Sequence, residues 1–130
     1  MTSVVLDASA LMALLRAEPG ADTVAKSLED AVISAVNYSE ILKKTVERGG
    51  DSELVVAFIR SLSVAIIPFD EHLAVTSADL YPQTKEHGMS FADRACLSLG
   101  IQRHAMVLTS ERKMGLLKLP IKVTVIRNAH

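Results

Sequence analysis

The chain is poor in aromatic residues, with two Tyr, three Phe and no Trp in 130 positions. A nucleic-acid surface built on stacked rings would have little to stack with, so base stacking is not expected to dominate recognition. A single cysteine, Cys96, excludes an intramolecular disulfide framework and any multi-cysteine zinc site, and it fits a reducing compartment. Charge of neither sign is in excess: 14 Lys and Arg against 15 Asp and Glu leave a formal net charge of −1. Contact with a polyanion would therefore rest on local basic patches. Long apolar runs are missing too. The stretch after Asp7 lasts only from Ala8 to Leu15 before Arg16, and the N-terminus has no cationic leader, so the expected location is the cytoplasm, with no membrane contact. There is no Gly-rich phosphate cradle, internal repeat or low-complexity tract.

What is present is the make-up of a packed globule. Apolar residues are 49% of the chain and charged residues 22%, and 130 residues suit one hydrophobic core, so a single domain over 1–130 is expected. Residues 3–6 form a short apolar run suited to a buried strand, followed at once by the helical pattern Leu11, Leu14, Leu15. After Pro19-Gly20 the pattern predicts a helix over 21–30, a brief strand over 32–34, and a helix over 38–48 stopped by Gly49-Gly50. Another helix runs from Asp51 to Ser61. Residues 64–69 have the β-branched density of a buried strand, and Asp70 is placed to cap a long helix reaching His87-Gly88. Ser90 caps a helix to Arg103, and 106–108 and 122–126 are the last strands, with a helical turn between them. This alternation predicts a three-layer α/β/α sandwich around a mainly parallel sheet. In such sheets ligands gather beyond the carboxyl ends of the strands.

Four acids fall at that rim. Asp7 directly follows the first strand, Glu111 lies just past Leu108, and Glu40 and Asp93 fall in the first turns of the helices after Ser34 and Ser90. Four carboxylates brought together repel unless protonated or neutralised, and oxygen donors without His or Cys favour Mg²⁺ or Mn²⁺ over zinc. Each acid also has a structural reading. Asn37-x-x-Glu40 and Ser90-x-x-Asp93 both match the capping-box spacing, and Glu40 is spaced to pair with Lys43 or Lys44. Asp7 is placed to cap the first helix, and Glu111 reads equally as a loop charge. Asp93 fits a purely structural role least, because helical spacing sets it on one face with Cys96, Leu97 and Gly100, at the edge of a buried stripe. Cys96 reads as a core residue, and His72, His87, His104 and His130 as surface or capping residues.

Read together, Val4-Val-Leu-Asp7-Ala-Ser9-Ala-Leu11, Ser34-Ala-Val-Asn-Tyr-Ser-Glu40-Ile, Leu80-Tyr-Pro-Gln-Thr-Lys-Glu-His-Gly88-Met-Ser-Phe-Ala-Asp93-Arg-Ala-Cys-Leu and Val107-Leu-Thr-Ser-Glu111-Arg closely resemble the PIN-domain family. The likeness is in particular to the VapC toxins of bacterial toxin–antitoxin pairs and covers nearly the whole chain. It implies a Mg²⁺-dependent endoribonuclease, with Mn²⁺ as a substitute, that leaves 5′-phosphate and 3′-hydroxyl ends. It further implies that Asp7, Glu40 and Asp93 match the three acidic positions such enzymes depend on, with Asp7 and Asp93 as metal ligands. Glu40 would position the attacking water or a second metal, and Ser9 matches a small hydroxyl residue near the metal. Glu111 matches a fourth acidic position where Asp is commoner, and Met114 stands where many members carry Trp. The likeness also implies a homodimer and a cognate VapB-type antitoxin whose segment occupies the active-site groove; the pattern Leu54, Val55, Phe58, Ile59, Leu62 offers such an interface or, equally, a core helix. By sequence position, Arg94, Arg103, Arg112 and Lys113 flank the rim; Arg94 and Arg112 are the candidates to hold an RNA backbone, against an ordinary solvated surface.

Two rival readings stand beside this one. The departures at Glu111 and Met114 suit a catalytically weak PIN domain that binds RNA or its antitoxin without cutting. Asp7 and Asp70 both end strands and Thr109 ends another, which is also the pattern of receiver-like phosphotransfer domains, although the paired acids expected after the first strand are missing.

Overall fold

In a computed structural model, which describes residues 3–127, three apolar pairs explain the layering. Val5-Leu6, Val32-Ile33 and Val107-Leu108 lie on neighbouring strands, and successive strand side chains point to opposite faces. Val5, Val32 and Val107 therefore enter one core, and Leu6, Ile33 and Leu108 the other. A strand buried on both faces needs no polar alternation, which is why these runs read as continuously apolar.

The strands β1 (Val4–Leu6), β2 (Ala31–Ser34), β3 (Ala65–Ile67), β4 (Met106–Thr109) and β5 (Val123–Val125) pair in the order β3-β2-β1-β4-β5, every pair parallel. Helices α1 (Ala8–Leu15), α2 (Ala21–Lys26), α3 (Ala35–Glu47) and α4 (Ser52–Ser61) supply the core that holds Leu6 and Ile33. Helices α5 (Glu71–Asp79), α6 (Tyr81–Thr84) and α7 (Phe91–Arg103) cover the opposite face. The result is the three-layer sandwich that the alternation predicts. Gly100 lets α7 lie close on β4, since a Cβ there would stand 2.7 Å from Val107 Cγ2.

Four local expectations are corrected. The helix predicted to begin at Tyr38 starts at Ala35, because the buried Ser34 acts as its N-cap and accepts a hydrogen bond from the Val36 N–H. The helix predicted over 21–30 ends at Lys26 and is followed by a 3₁₀ turn, Leu28–Asp30. The long helix predicted to His87 is broken into α5, α6 and a 3₁₀ turn (Lys85–His87), with Pro82 in the first turn of α6. Proline has no N–H to continue a helix and is tolerated only at its start. The strand over 64–69 is neither long nor buried: β3 spans three residues, and Ala65 and Ile66 are exposed. Among the described residues its only partner is β2, so it is a sheet edge, and the β-branched density there does not signal a central strand. Among the described residues no helix is long and apolar enough to cross a membrane.

Candidate functional site

The chain lays β2 and β3 on one side of β1, then returns to build β4 and β5 on the other. The order reverses between β1 and β4, and an open parallel sheet offers its crevice at that switch point, beyond the carboxyl ends. Asp7 is the residue after β1, and its N–H donates to the Leu108 carbonyl at 2.9 Å, which fixes it beside the end of β4.

Asp7 stands at the N-cap position of α1, yet its side chain makes no capping bond. Its Oδ2 instead accepts from Thr109 Oγ1 at 2.8 Å and from Ser9 Oγ at 2.9 Å. Both hydroxyls are themselves oriented by backbone: Ser9 Oγ accepts from the Ser110 N–H at 3.0 Å, and Thr109 Oγ1 from the Glu111 N–H at 2.9 Å. Asp7 is 3% exposed. Burial pushes its carboxyl from 3.8 up to about 6; the nearby Asp93 charge adds to the rise, and the Thr109 and Ser9 hydrogen bonds oppose it.

The other acids reach the same place from different elements. Asp93 closes a capping box at the start of α7: Ser90 Oγ accepts from the Asp93 N–H at 3.2 Å, and Asp93 Oδ2 accepts from the Ser90 N–H at 2.8 Å. The capping reading of Asp93 therefore holds, and it does not remove the residue from the cleft. The corresponding reading of Glu40 fails. With α3 starting at Ala35, Glu40 lies in the second turn, and Asn37 is a buried helix residue whose Nδ2 donates to the Ala92 carbonyl at 3.0 Å. Asn37 thus ties the helix carrying Glu40 to the helix carrying Asp93. Glu111 caps the 3₁₀ turn Arg112–Leu116, with Oε1 accepting from the Lys113 N–H at 3.3 Å.

Asp7, Ser9, Glu40, Lys44, Ser90, Asp93 and Glu111 together line a cleft of about 230 Å³. The four acids and Ser9 singled out in the sequence thus share one site. Three participants were not legible as such. Thr109 is signalled only by a hydroxyl ending a strand, Lys44 by its position one turn after Glu40, and Asn37 only by a spacing to Glu40 that suggested a cap. Of the flanking arginines, Arg94 is half-buried with its guanidinium 5.3 Å from the centre of the Tyr81 ring, while Arg112 is exposed beside Glu111. Neither lines the cleft.

Cys96 is fully buried, and burial pushes its thiol well above the ordinary range, with the charges of Asp7, Asp93 and Glu40 adding to the rise. It is a core residue. His72 and His104 are exposed, His104 ending α7 in the left-handed region at φ +51°; His87 is half-buried, and His130 lies outside the described residues. Met114, at the position where the resembling family often carries Trp, is buried in the core. Asp70 caps α5 through the Leu73 N–H at 3.0 Å and takes no part in the cleft, which removes the geometric basis of the receiver-like reading.

Among the described residues, no three acidic, His or Cys side chains stand close enough to hold a metal ion as they are placed. Asp93 and Glu111 are turned onto backbone N–H groups at their own helix starts. The donor chemistry nevertheless fits a hard divalent cation: carboxylates and hydroxyls without a soft ligand, gathered around a buried acid.

The sheet and the acid-lined crevice at its switch point define the class. A model of the PIN domain matches residues 4–118, and the chain belongs to the PIN-domain family. Among solved structures, the chain is similar to a DNA-bound VapBC from Salmonella typhimurium (15% identity, 95% of this chain and 98% of that chain covered, TM-score 0.72). It is similar also to a toxin–antitoxin complex from Klebsiella pneumoniae (15% identity, 92% and 99% covered, TM-score 0.71) and to FitAcB from Neisseria gonorrhoeae (23% identity, 92% and 95% covered, TM-score 0.69). No curated protein sequence matches the chain.

Proposed function

We propose that this PIN domain is a divalent-metal-dependent endoribonuclease, the VapC-type toxin of a toxin–antitoxin pair, which hydrolyses RNA phosphodiesters to 5′-phosphate and 3′-hydroxyl ends in the cytoplasm. One observation carries the reading: Asp7, Glu40, Asp93 and Glu111 come from four separate stretches of chain to line one oxygen-rich cleft. Asp7 supports it: its buried carboxylate is held by the Ser9 and Thr109 hydroxyls and makes no capping bond to α1.

In this reading Asp7 and Asp93 hold the cation, Mg²⁺ or Mn²⁺, with Ser9 and Thr109 fixing the Asp7 carboxylate. When bound, the cation supplies Lewis-acid neutralisation of the phosphate and lowers the pKa of water. Glu40 orients the attacking water and accepts its proton; Glu111 adds negative charge at the cleft mouth. Arg112 and, on the Tyr81 side of α7, Arg94 contact the RNA backbone.

The antitoxin is the proposed partner. A second cleft of about 250 Å³, lined by Met12, Leu15, Ile41 and Val55 with Arg16 and Arg48, supports the seating of an apolar segment that carries acidic residues. For the homodimer, α4 divides its apolar residues: Ile59 is buried, whereas Leu54 and Phe58 are exposed and available to a second copy. The Glu111 contact with the Lys113 N–H favours one competing reading, a PIN domain that binds RNA or antitoxin without cutting.

The test is cleavage of total cellular RNA by purified, antitoxin-free protein in Mg²⁺ or Mn²⁺, with EDTA and Asp93→Asn as controls. Discrete fragments with 5′-phosphate ends, absent in both controls, are the expected result. A 2′,3′-cyclic phosphate product would contradict the mechanism, and tight metal-independent binding without turnover would select the binding-only reading.

A further inference from the structure

Lys44 is the one cationic side chain among the seven residues that line the acidic cleft. It lies one turn after Glu40 on α3, and residues four apart share a helix face, so Glu40 and Lys44 enter the cleft side by side. The adjacent lysine behaves differently: Lys43 is exposed and pairs with Glu47 at 3.1 Å, an ordinary surface contact. Lys44 is half-buried, and among the described residues it forms no ion pair with any of the four cleft acids.

An unpaired ammonium in a cleft built to take a cation calls for an explanation, because like charges at short range weaken cation binding. The conflict disappears once the substrate arrives. A phosphodiester brings a negative charge that a metal and an ammonium can share, and the phosphorane formed on attack carries more negative charge than the ground state. We propose that Lys44 is a catalytic residue that donates a hydrogen bond to a non-bridging oxygen of the scissile phosphate and stabilises the charge that builds there. No proton need leave it. Water oxygen bonds to phosphorus as Glu40 takes its proton, the P–O3′ bond breaks with its electron pair on the 3′ oxygen, which takes a proton from solvent, and the ammonium keeps its charge throughout. This role rests on the nuclease reading above.

The test compares wild type, Lys44→Met, Lys44→Arg and Lys43→Met, each checked for an unchanged melting curve. Cleavage kinetics on a synthetic RNA spanning the mapped cut are combined with calorimetric titration of Mn²⁺ into the RNA-free protein. Removal of one preorganised electrostatic donor should lower kcat of Lys44→Met about 100-fold with little change in KM. The same substitution should tighten Mn²⁺ binding by about threefold, since a repelling charge has gone. Lys44→Arg should recover part of kcat, and Lys43→Met should match wild type in both measurements.

An unchanged kcat, or a loss confined to KM, would overturn the catalytic role, the latter marking Lys44 as a backbone tether. Weaker Mn²⁺ binding would also overturn it, identifying Lys44 as a counter-ion that organises the acids. A wild type that cleaves beside an equally active Lys44→Met sinks only this proposal. A wild type that cleaves nothing sinks the nuclease reading, and Lys44 with it.

Discussion

The starts of α1 and α7 carry acids at comparable places and use them in opposite ways. At α7, Asp93 returns a hydrogen bond to the Ser90 N–H and completes a reciprocal cap, so the helix benefits from the acid. At α1, Asp7 occupies the N-cap position but its side chain makes no capping bond, the carboxylate facing the Ser9 and Thr109 hydroxyls instead. One acid has a structural reason to be where it is; the other is buried at a cost. Two kinds of cleft residue are thereby separated. Asp93 both caps its helix and lines the cleft, whereas Asp7 lines the cleft and gives its side chain to no cap.

The sharpest consequence concerns pH. The Asp7 carboxyl titrates near 6 in the folded chain against an ordinary 3.8, so the metal-free folded state binds this proton more tightly than the unfolded state. The stability gained from that proton is fully present below pH 3.8 and is lost as pH rises through 6. Above that range the buried charge costs about 3 kcal/mol, because each tenfold change in proton affinity is worth about 1.4 kcal/mol. Asp7→Asn removes the charge while keeping the shape, so its melting temperature should exceed that of wild type by roughly 10 °C at pH 8 and by little near pH 4. Differential scanning fluorimetry across that range checks it.

A smaller effect of opposite sign belongs to the other helix. Ser90→Ala removes half of the capping box and should destabilise the chain by about 1 kcal/mol at any pH, measured by urea unfolding. If Ser90→Ala is neutral, the cap contributes nothing and the contrast with Asp7 weakens. The smallest effect is at Thr109. Thr109→Val removes a hydrogen bond that lowers the Asp7 pKa, so the acid limb of the cleavage profile should move to higher pH, with about 1 kcal/mol or less lost in stability. An unmoved limb would show that Asp7 does not control it.

Much of this was legible in the sequence because it rests on local pattern. The apolar pairs on β1, β2 and β4 predict a doubly covered parallel sheet, and the switch point then tells where acids matter. Asp7, Glu40, Asp93 and Glu111 could be picked out because each follows a strand end or a helix start. What failed depended on tertiary context. Residues 64–69 have the composition of a buried strand, but nothing in that composition says that β3 lies at an edge. Asn37 looked like a cap because its spacing to Glu40 fits one, while Ser34, three residues earlier, takes that role. Lys44 and Thr109 could not be assigned because their meaning comes from what stands opposite, a carboxylate over one hundred positions from Thr109 in one case and a shared cleft in the other.

If Asp7 is an acid kept for a cation, its burial should be a liability only while the cation is absent. The direct measurement is the melting temperature of wild type and Asp7→Asn at pH 8, each with and without Mn²⁺. Without metal, Asp7→Asn should melt higher; with metal, wild type should gain stability through binding and Asp7→Asn should gain little. If Asp7→Asn instead melts lower without metal, or gains as much from Mn²⁺ as wild type does, Asp7 is a structural residue and the proposed metal site is wrong.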